Sequence, residues 1–298
     1  MAKSFHDLKQ NGGKSLEKIS EQLAKVIAPT FANDDDRFWT PEVDKSGNGY
    51  AVIRFLDSPK GEESPFVRLW EHRFKGPTGS WYIEKCLTSL GKQDPVAENN
   101  SMLWNSGLEF NKALARERKR RLLFISNILV IKDPQKPERE GKVWLLRYGI
   151  KIYDKVNDQM NPAHGEEKIN PFDFWNGANF RMKIRTVEGF RNYDMSGFDR
   201  PGPIAQTDEE IEAIWKQEYP LQPFLDEKTF KTYGELKTRL ERVLGSNESN
   251  VAKMTVKELN GSSISGGTGS DDGEGDEDED GSVDSRLRFF EQMKPEQA

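Results

Sequence analysis

Between residues 50 and 187 the chain carries six short segments rich in β-branched and aromatic side chains, without the regular crossover helices that a parallel sheet requires. They are Tyr50–Leu56, Phe66–Phe74, Trp81–Lys85, Leu123–Lys132, Lys142–Tyr148 and Asn179–Val187, punctuated by turns such as Gly47-Asn48-Gly49 and Gly76-Pro77-Thr78-Gly79. Short strands with irregular insertions point to a mainly β body with α additions, a small barrel rather than a parallel α/β sheet. Two helical segments follow, Asp208–Tyr219 and Thr229–Leu244. The second sets Leu236, Leu240, Val243 and Leu244 on one face and Gly245 where a C-terminal cap belongs.

The flanks have a different character. Residues 1–14 are polar, and Ser15 is a candidate N-cap for a helix whose Leu16, Ile19, Leu23, Val26 and Ile27 share a face until Pro29 ends it. Such a helix packs on its own domain or docks on a neighbouring molecule, and periodicity favours neither. The whole chain has 50 acids against 44 bases, but from Ser246 onward the count is 13 against 5, so a near-neutral body carries an acidic tail. That tail holds a Gly/Ser-rich stretch at Gly261–Gly269 and eight acids in the ten positions Asp271–Asp280, which cannot form a packed core. Leu287, Phe289, Phe290 and Met293 then form an apolar and basic end suited to docking. The expected organisation is an arm and helix at 1–28, a core at 29–245 with a helical and loop lobe near 70–110, and a disordered acidic tail at 246–298. No apolar run approaches the length of a membrane span or of a secretory signal, so an intracellular, non-membrane protein is expected.

Enzyme signatures are missing: there is no phosphate-binding Gly-x-x-x-x-Gly-Lys-Ser/Thr loop, no His-Glu-x-x-His pair and no Gly-x-Ser-x-Gly elbow. Cys86, the lone cysteine, is either a nucleophile or a small buried residue, and it allows no intrachain disulfide. What recurs is cations interleaved with aromatics, the pairing that a single-stranded nucleic acid needs, since phosphates attract charge and unstacked bases attract flat rings. Arg116, Arg118, Lys119, Arg120 and Arg121 run into Phe124. Along 179–187, Phe180, Met182 and Ile184 alternate with Arg181, Lys183 and Arg185, giving one cationic face. Phe190, Arg191 and Tyr193 follow in a turn-like context. These features favour a non-enzymatic nucleic-acid binder. An RNA-binding translational repressor is the alternative.

Taken in order, Gly47-Asn48-Gly49-Tyr50-Ala51-Val52-Ile53-Arg54-Phe55-Leu56, Trp81-Tyr82-Ile83-Glu84-Lys85-Cys86, Asn127-Ile128-Leu129-Val130-Ile131-Lys132-Asp133-Pro134 and Gly177-Ala178-Asn179-Phe180 through Asp194 resemble the replication single-stranded DNA-binding, or helix-destabilising, proteins of T-even-type bacteriophages. The resemblance implies an oligonucleotide-binding (OB-fold) barrel that coats exposed strands during viral replication, recombination and repair in the host cytoplasm. It also implies an arm for cooperative self-association and an acidic tail that engages replication and recombination proteins: a polymerase, a helicase loader, a recombination mediator. By motif position Phe190 and Tyr193 would stack bases, Phe124 would stand at the family's aromatic after the basic run, Lys119, Arg120 and Arg121 would contact phosphate, and Lys14-Ser15 would serve self-association. Members can hold zinc through one His and three Cys. Here His72 and Cys86 stand at matching places, but the following pair of cysteines is replaced around Val96 and Asn99, so no zinc or other cofactor is expected. Packing by Trp70, Trp81 and Leu90 is expected to hold the lobe instead.

Overall fold

The computed structural model describes residues 35–163, 165–187 and 190–251, and the side chains of 246–251 fall outside that description. The expected arm, helix and self-association pair Lys14 and Ser15, and the acidic tail, lie outside the described residues. Within them the chain is mainly β: a nine-stranded sheet with the path β1 (Phe38–Trp39), β6 (Val143–Gly149), β5 (Arg121–Lys132), β2 (Gly49–Phe55), β7 (Phe180–Val187), β8 (Phe190–Asn192). Off this path, β3 (Phe66–Lys75) pairs with β4 (Trp81–Lys85) and with β5, and β9 (Gly197–Phe198) pairs with β7.

Strand β5 is the spine. Antiparallel β6 lies along one edge, while the other edge is shared: β3 takes Arg121 to Ser126 and β2 takes Ile128 to Lys132. The handover falls at Asn127, whose carbonyl accepts from the Leu56 amide at 3.1 Å. Both edges of β5 are therefore paired, and its faces are covered as well, Phe124, Ile128 and Val130 packing in the main core and Ile125 with Val67, Leu69, Leu145 and Leu221, so its residues from Phe124 to Val130 are all buried. The expected barrel is not closed by pairing among the described strands, because β1 and β8 remain the two ends of the path. No helix among the described residues is long and apolar enough to cross a membrane.

The main core is aromatic. Phe124 stacks on Tyr153 with ring centres 4.1 Å apart and lies 5.5 Å from Tyr148, and Phe55 meets Tyr148 and Phe172 edge-on. Each such ring, fully buried, contributes roughly 1.5–3 kcal/mol from water exclusion. Arg54 is buried beside this core, and its Nη2 donates to the carbonyls of Asp173 and Gly202 at 2.8 Å each. Burial lowers its pKa to about 10. Gly177 makes that approach possible, since a Cβ there would stand 2.3 Å from the Asp173 carbonyl oxygen and 2.9 Å from Arg54 Nη2.

A second cluster builds the lobe: Phe74 and Tyr82 of the β3–β4 hairpin pack with Leu87, Val96 of α1 (Pro95–Asn105), and Leu236, Leu240, Val243 and Leu244 of the last helix. That last helix, α5 (Tyr233–Val251), changes course at Gly245, whose φ of 69° suits the glycine expected to end it. It lies so close to the hairpin turn that a Cβ on Gly76 would come within 2.3 Å of the Val243 carbonyl. Of the three residues expected to hold the lobe, Leu90 packs here. Trp70 packs against the main core instead, and Trp81 lies under the Arg73 guanidinium.

Helices α1 and α2 (Glu109–Glu117), and α3 (Ile150–Met160) after β6, extend the expected inventory, and α4 (Asp208–Trp215) is opened by a Thr207/Glu210 capping box.

Candidate nucleic-acid interface

A cleft of about 440 Å³ opens where the ends of β3, β5 and β6 meet the start of α3, the 35–41 segment and the residues around β8. Its floor is apolar and aromatic, with Phe38, Trp39, Leu122, Tyr148 and Met182, and its walls bring together Arg73, Arg121, Arg147, Lys151 and Arg191 with the Tyr193 ring. The register explains the gathering. Pairing of β3 with β5 sets Arg121 opposite Glu71, and pairing of β5 with β6 sets Arg147 opposite Ile125, so single cations from separate strands converge. The Arg147 guanidinium lies 5.4 Å from the Phe38 ring centre, and its Nε is buried without a hydrogen-bond partner.

Two acids share the cleft. Asp35 is bound to Arg37 through two contacts of 2.6 and 2.7 Å, which hold its carboxyl below the usual range. Burial pushes the Glu71 carboxyl up, against the pull of Arg147, Arg121 and Arg73. The balance remains cationic, five bases against two acids, which suits a polyanion.

Arg121, Arg191 and Tyr193 are the expected contact residues that the cleft unites. Phe124 is corrected: with 0% of its surface exposed it is part of the aromatic core beneath the cleft, because β5 is central and covered on both sides. Arg118 is buried too, its guanidinium 5.5 Å from the Phe74 ring. Arg120 lies over Trp70 at 4.1 Å and donates to Thr88 Oγ1, outside the cleft lining. Lys119 sits in the turn between α2 and β5, its amide donating to the Arg116 carbonyl, and Arg116 lies beside Trp104.

Strand β7 shows the expected alternation, with Phe180, Met182 and Ile184 buried and Arg181, Lys183 and Arg185 exposed. Yet Met182 is the member that lines the cleft, so the three cations point to the opposite face of the sheet. There Arg181 pairs with Asp199 at 2.7 Å. Phe190, 41% exposed, pairs directly with Val187 and so joins that same outer face, apart from Tyr193. The cleft residues that sequence reasoning missed are Arg73, Arg147 and Lys151. Each stands on its own element between neighbours that are neither Lys nor Arg, and no local run announces it.

In the lobe, His72, Cys86 and Asp94 are all buried with their ligand atoms within 4.8 Å of one another. His72 Nε2 stands 3.4 Å from Asp94 Oδ1, and Nδ1 meets the Arg118 carbonyl at 3.0 Å. Asp94 also caps α1, its Oδ1 accepting from the amides of Val96 and Ala97 and its Oδ2 from that of Leu87. Burial alone would lower the His72 pKa, but Asp94 and Cys86 together outweigh it and lift His72 to about 9. In turn His72 and the amides hold Asp94 near 2 despite its burial. Cys86 Sγ contacts Thr88 Oγ1 at 3.0 Å. These donors do not complete a structural zinc shell: the carboxylate oxygens are already committed to three amides, Val96 brings only an alkyl group, and a closed site needs four ligands.

Comparison with known proteins bears on the same residues. The family model described as gp32 DNA binding protein like matches residues 47–244. The chain is 37% identical over 243 residues to the single-stranded DNA-binding protein of Enterobacteria phage T2, covering 78% of this chain and 79% of that protein. It is equally identical over 242 residues to the protein of the same name from phage T4, with the same coverage of each chain. A shorter match, 41% over 89 residues, is to a single-stranded DNA-binding protein of Escherichia phage SV14, covering 28% of this chain and 78% of that one.

Proposed function

The chain belongs to the gp32 DNA binding protein like family, and from that premise we propose that it is a non-enzymatic, sequence-tolerant binder that coats single-stranded DNA during phage replication, recombination and repair in the host cytoplasm. The observation that carries the reading is the cleft that Arg121, Arg147 and Arg191 line together with Tyr193. A duplex hides its base faces in the stack, whereas a single strand offers phosphates and rings together, so such a cleft binds single strands differentially. The forked sheet, in which β5 pairs with β2, β3 and β6, supports reading the body as an open relative of the oligonucleotide-binding barrel.

Titration of labelled oligo(dT), duplex of equal length and single-stranded RNA tests it. Tight binding to oligo(dT), weaker binding to duplex and no preference for RNA are expected, with Tyr193→Ala losing about 1–3 kcal/mol. Selective binding to an RNA loop would favour the translational-repressor reading instead, and strand cleavage in magnesium would overturn the non-enzymatic one.

Further parts of the proposal rest on sequence and family resemblance. Lys14 and Ser15 serve association between neighbours on one strand, and the acidic tail recruits replication and recombination proteins and competes with DNA for cationic surface at low salt. The lobe holds together without zinc, with the His72–Asp94 pair in its place; metal analysis of purified protein showing stoichiometric zinc that a chelator removes with loss of folding would refute this.

A further inference from the structure

We propose that Glu218 is a pH-sensitive latch on one wall of the cleft: while its carboxyl is neutral the 215–225 segment stays seated behind Phe38, and its ionisation unseats that segment and loosens the hold on the single strand. This rests on the single-strand reading above and adds regulation to the same site. Both carboxyl oxygens of Glu218 are buried and have no hydrogen-bond partner. The charges that bear on them are acids, Asp57 and Glu62, from the 57–62 loop. Lys216, the near cation on its own segment, is bound to Glu212 at 2.6 Å. A carboxylate in that position has neither water nor a counter-charge, so the seated segment accepts the neutral form, and the pKa is raised to about 8.

The segment joins Glu218 to the cleft. Before it, the Trp215 indole donates to the Ser58 carbonyl at 3.2 Å; after it, the Glu62 carboxylate accepts from the amides of Leu221 and Gln222 at 2.9 and 3.1 Å. Glu218 is thus closed in between two clasps on one loop, and bringing its carboxylate into water parts the segment from that loop. Next to it, Tyr219 exchanges two hydrogen bonds with the Asn127 side chain of β5, at 2.9 and 3.0 Å. Leu221 is fully buried with Val67, Leu69, Ile125 and Leu145, and Tyr219, Phe224 and Phe38 pack against the same cluster. Phe224 meets Phe38 edge-on at 5.6 Å, and the Arg37 guanidinium lies 5.8 Å from the Tyr219 ring centre and 5.5 Å from that of Phe224. Phe38 is the ring that stands beside Arg147 in the cleft. One wall of the cleft therefore leans on a segment that carries a buried, unpartnered acid. By reciprocity, a strand held in the cleft favours the seated segment and the neutral carboxyl, so binding takes up protons.

The test is oligo(dT) titration of the full chain at constant salt over about pH 6.5 to 9, with amide exchange followed at Leu221 and Gln222. Affinity should fall about 5-fold or more across that range in the parent and stay within about 2-fold in Glu218→Gln. Asp57→Asn removes one of the acids that raise the Glu218 pKa, so it should move the fall to lower pH. A residue that only packed the segment would show no such shift. Protection of the Leu221 and Gln222 amides, corrected for the intrinsic effect of pH on exchange, should be lost over the same range in the parent and kept in Glu218→Gln. His72 titrates near pH 9 as well, but Glu218→Gln leaves it in place, so the difference between the two profiles belongs to Glu218. The inference is overturned if parent and Glu218→Gln share one pH profile of affinity, or if the two amides stay protected in the parent at about pH 9. Absence of oligo(dT) binding by the parent even at the acid end of the range is a different failure: it sinks the single-strand reading, and the exchange measurement still decides whether Glu218 latches the segment.

Discussion

Neutralising Arg121 by substitution with Gln tests the cleft in a way that counts charges. Five bases line it, and on a single strand each phosphate neutralised adds about 0.7 to the slope of log affinity against log salt. Full engagement predicts a slope of about −3.5 from the cleft, or a loss of roughly 100-fold between 50 and 200 mM salt. Arg121→Gln should bring the slope to about −2.8 and the loss to roughly 50-fold, with weaker binding at low salt and nearly equal binding at high salt. Glu71→Gln should act in the opposite sense, since Glu71 stands across from Arg121 and holds part of its charge. The assay is fluorescence titration with oligo(dT) at four or more salt concentrations. A slope unchanged by Arg121→Gln, with the protein folded, would refute the claim that this cleft is where phosphates are neutralised.

Asp94→Ala removes both the cap of α1 and the partner of His72, and should cost about 3–5 kcal/mol by thermal unfolding. The His72 part of that contribution is complete below pH 6.5 and fades as pH rises through about 9; the Asp94 part is complete above pH 3.8 and fades as pH falls through about 2. The Asp94→Ala penalty should therefore be largest between pH 3.8 and 6.5, as unfolding across pH will show. Glu218 runs the other way: burial, with Asp57 and Glu62 nearby, raises its carboxyl to about 8, and its oxygens have no hydrogen-bond partner. Stability from this group is present below pH 4.5 and declines toward pH 8, and Glu218→Gln should remove that decline, on the order of 2–4 kcal/mol in denaturant titrations. Phe124→Leu should lower stability by about 1–2 kcal/mol and leave oligo(dT) affinity within 2-fold; a large affinity loss in a stable protein would return Phe124 to the binding surface.

The strands were legible because side-chain type and period agree. Val, Ile and aromatic residues fall in short runs bounded by Gly, and the boundaries from β2 to β7 lie within about two residues of those expected. Helix α3 was hidden because it follows β6 at once, and Ile150-Lys151-Ile152-Tyr153 continues the alternation of a strand. The start of α1 carried a readable sign in Asp94-Pro95, an N-cap followed by proline at N1. The cleft was legible only where cation and ring are neighbours in sequence, at Arg191 and Tyr193, or where a basic run ends, at Arg121. Arg73 and Arg147 belong to it through strand register and Lys151 through the helix that follows β6, placements that no local pattern encodes. For β7 the alternation showed which residues are exposed, but the face turned to the cleft is decided by the strands on either side.

One backbone oxygen joins the two halves of the molecule. The Arg118 carbonyl receives His72 from β3 and Asn100 from α1, three residues before Arg121 enters the cleft wall. Damage in the lobe will therefore reach the DNA side as a displaced guanidinium, and an alanine survey that scored affinity alone would mistake structural props for contacts. Pairing each lobe substitution with Arg121→Gln in a double-mutant cycle separates the two: props couple to Arg121, whereas independent contacts add.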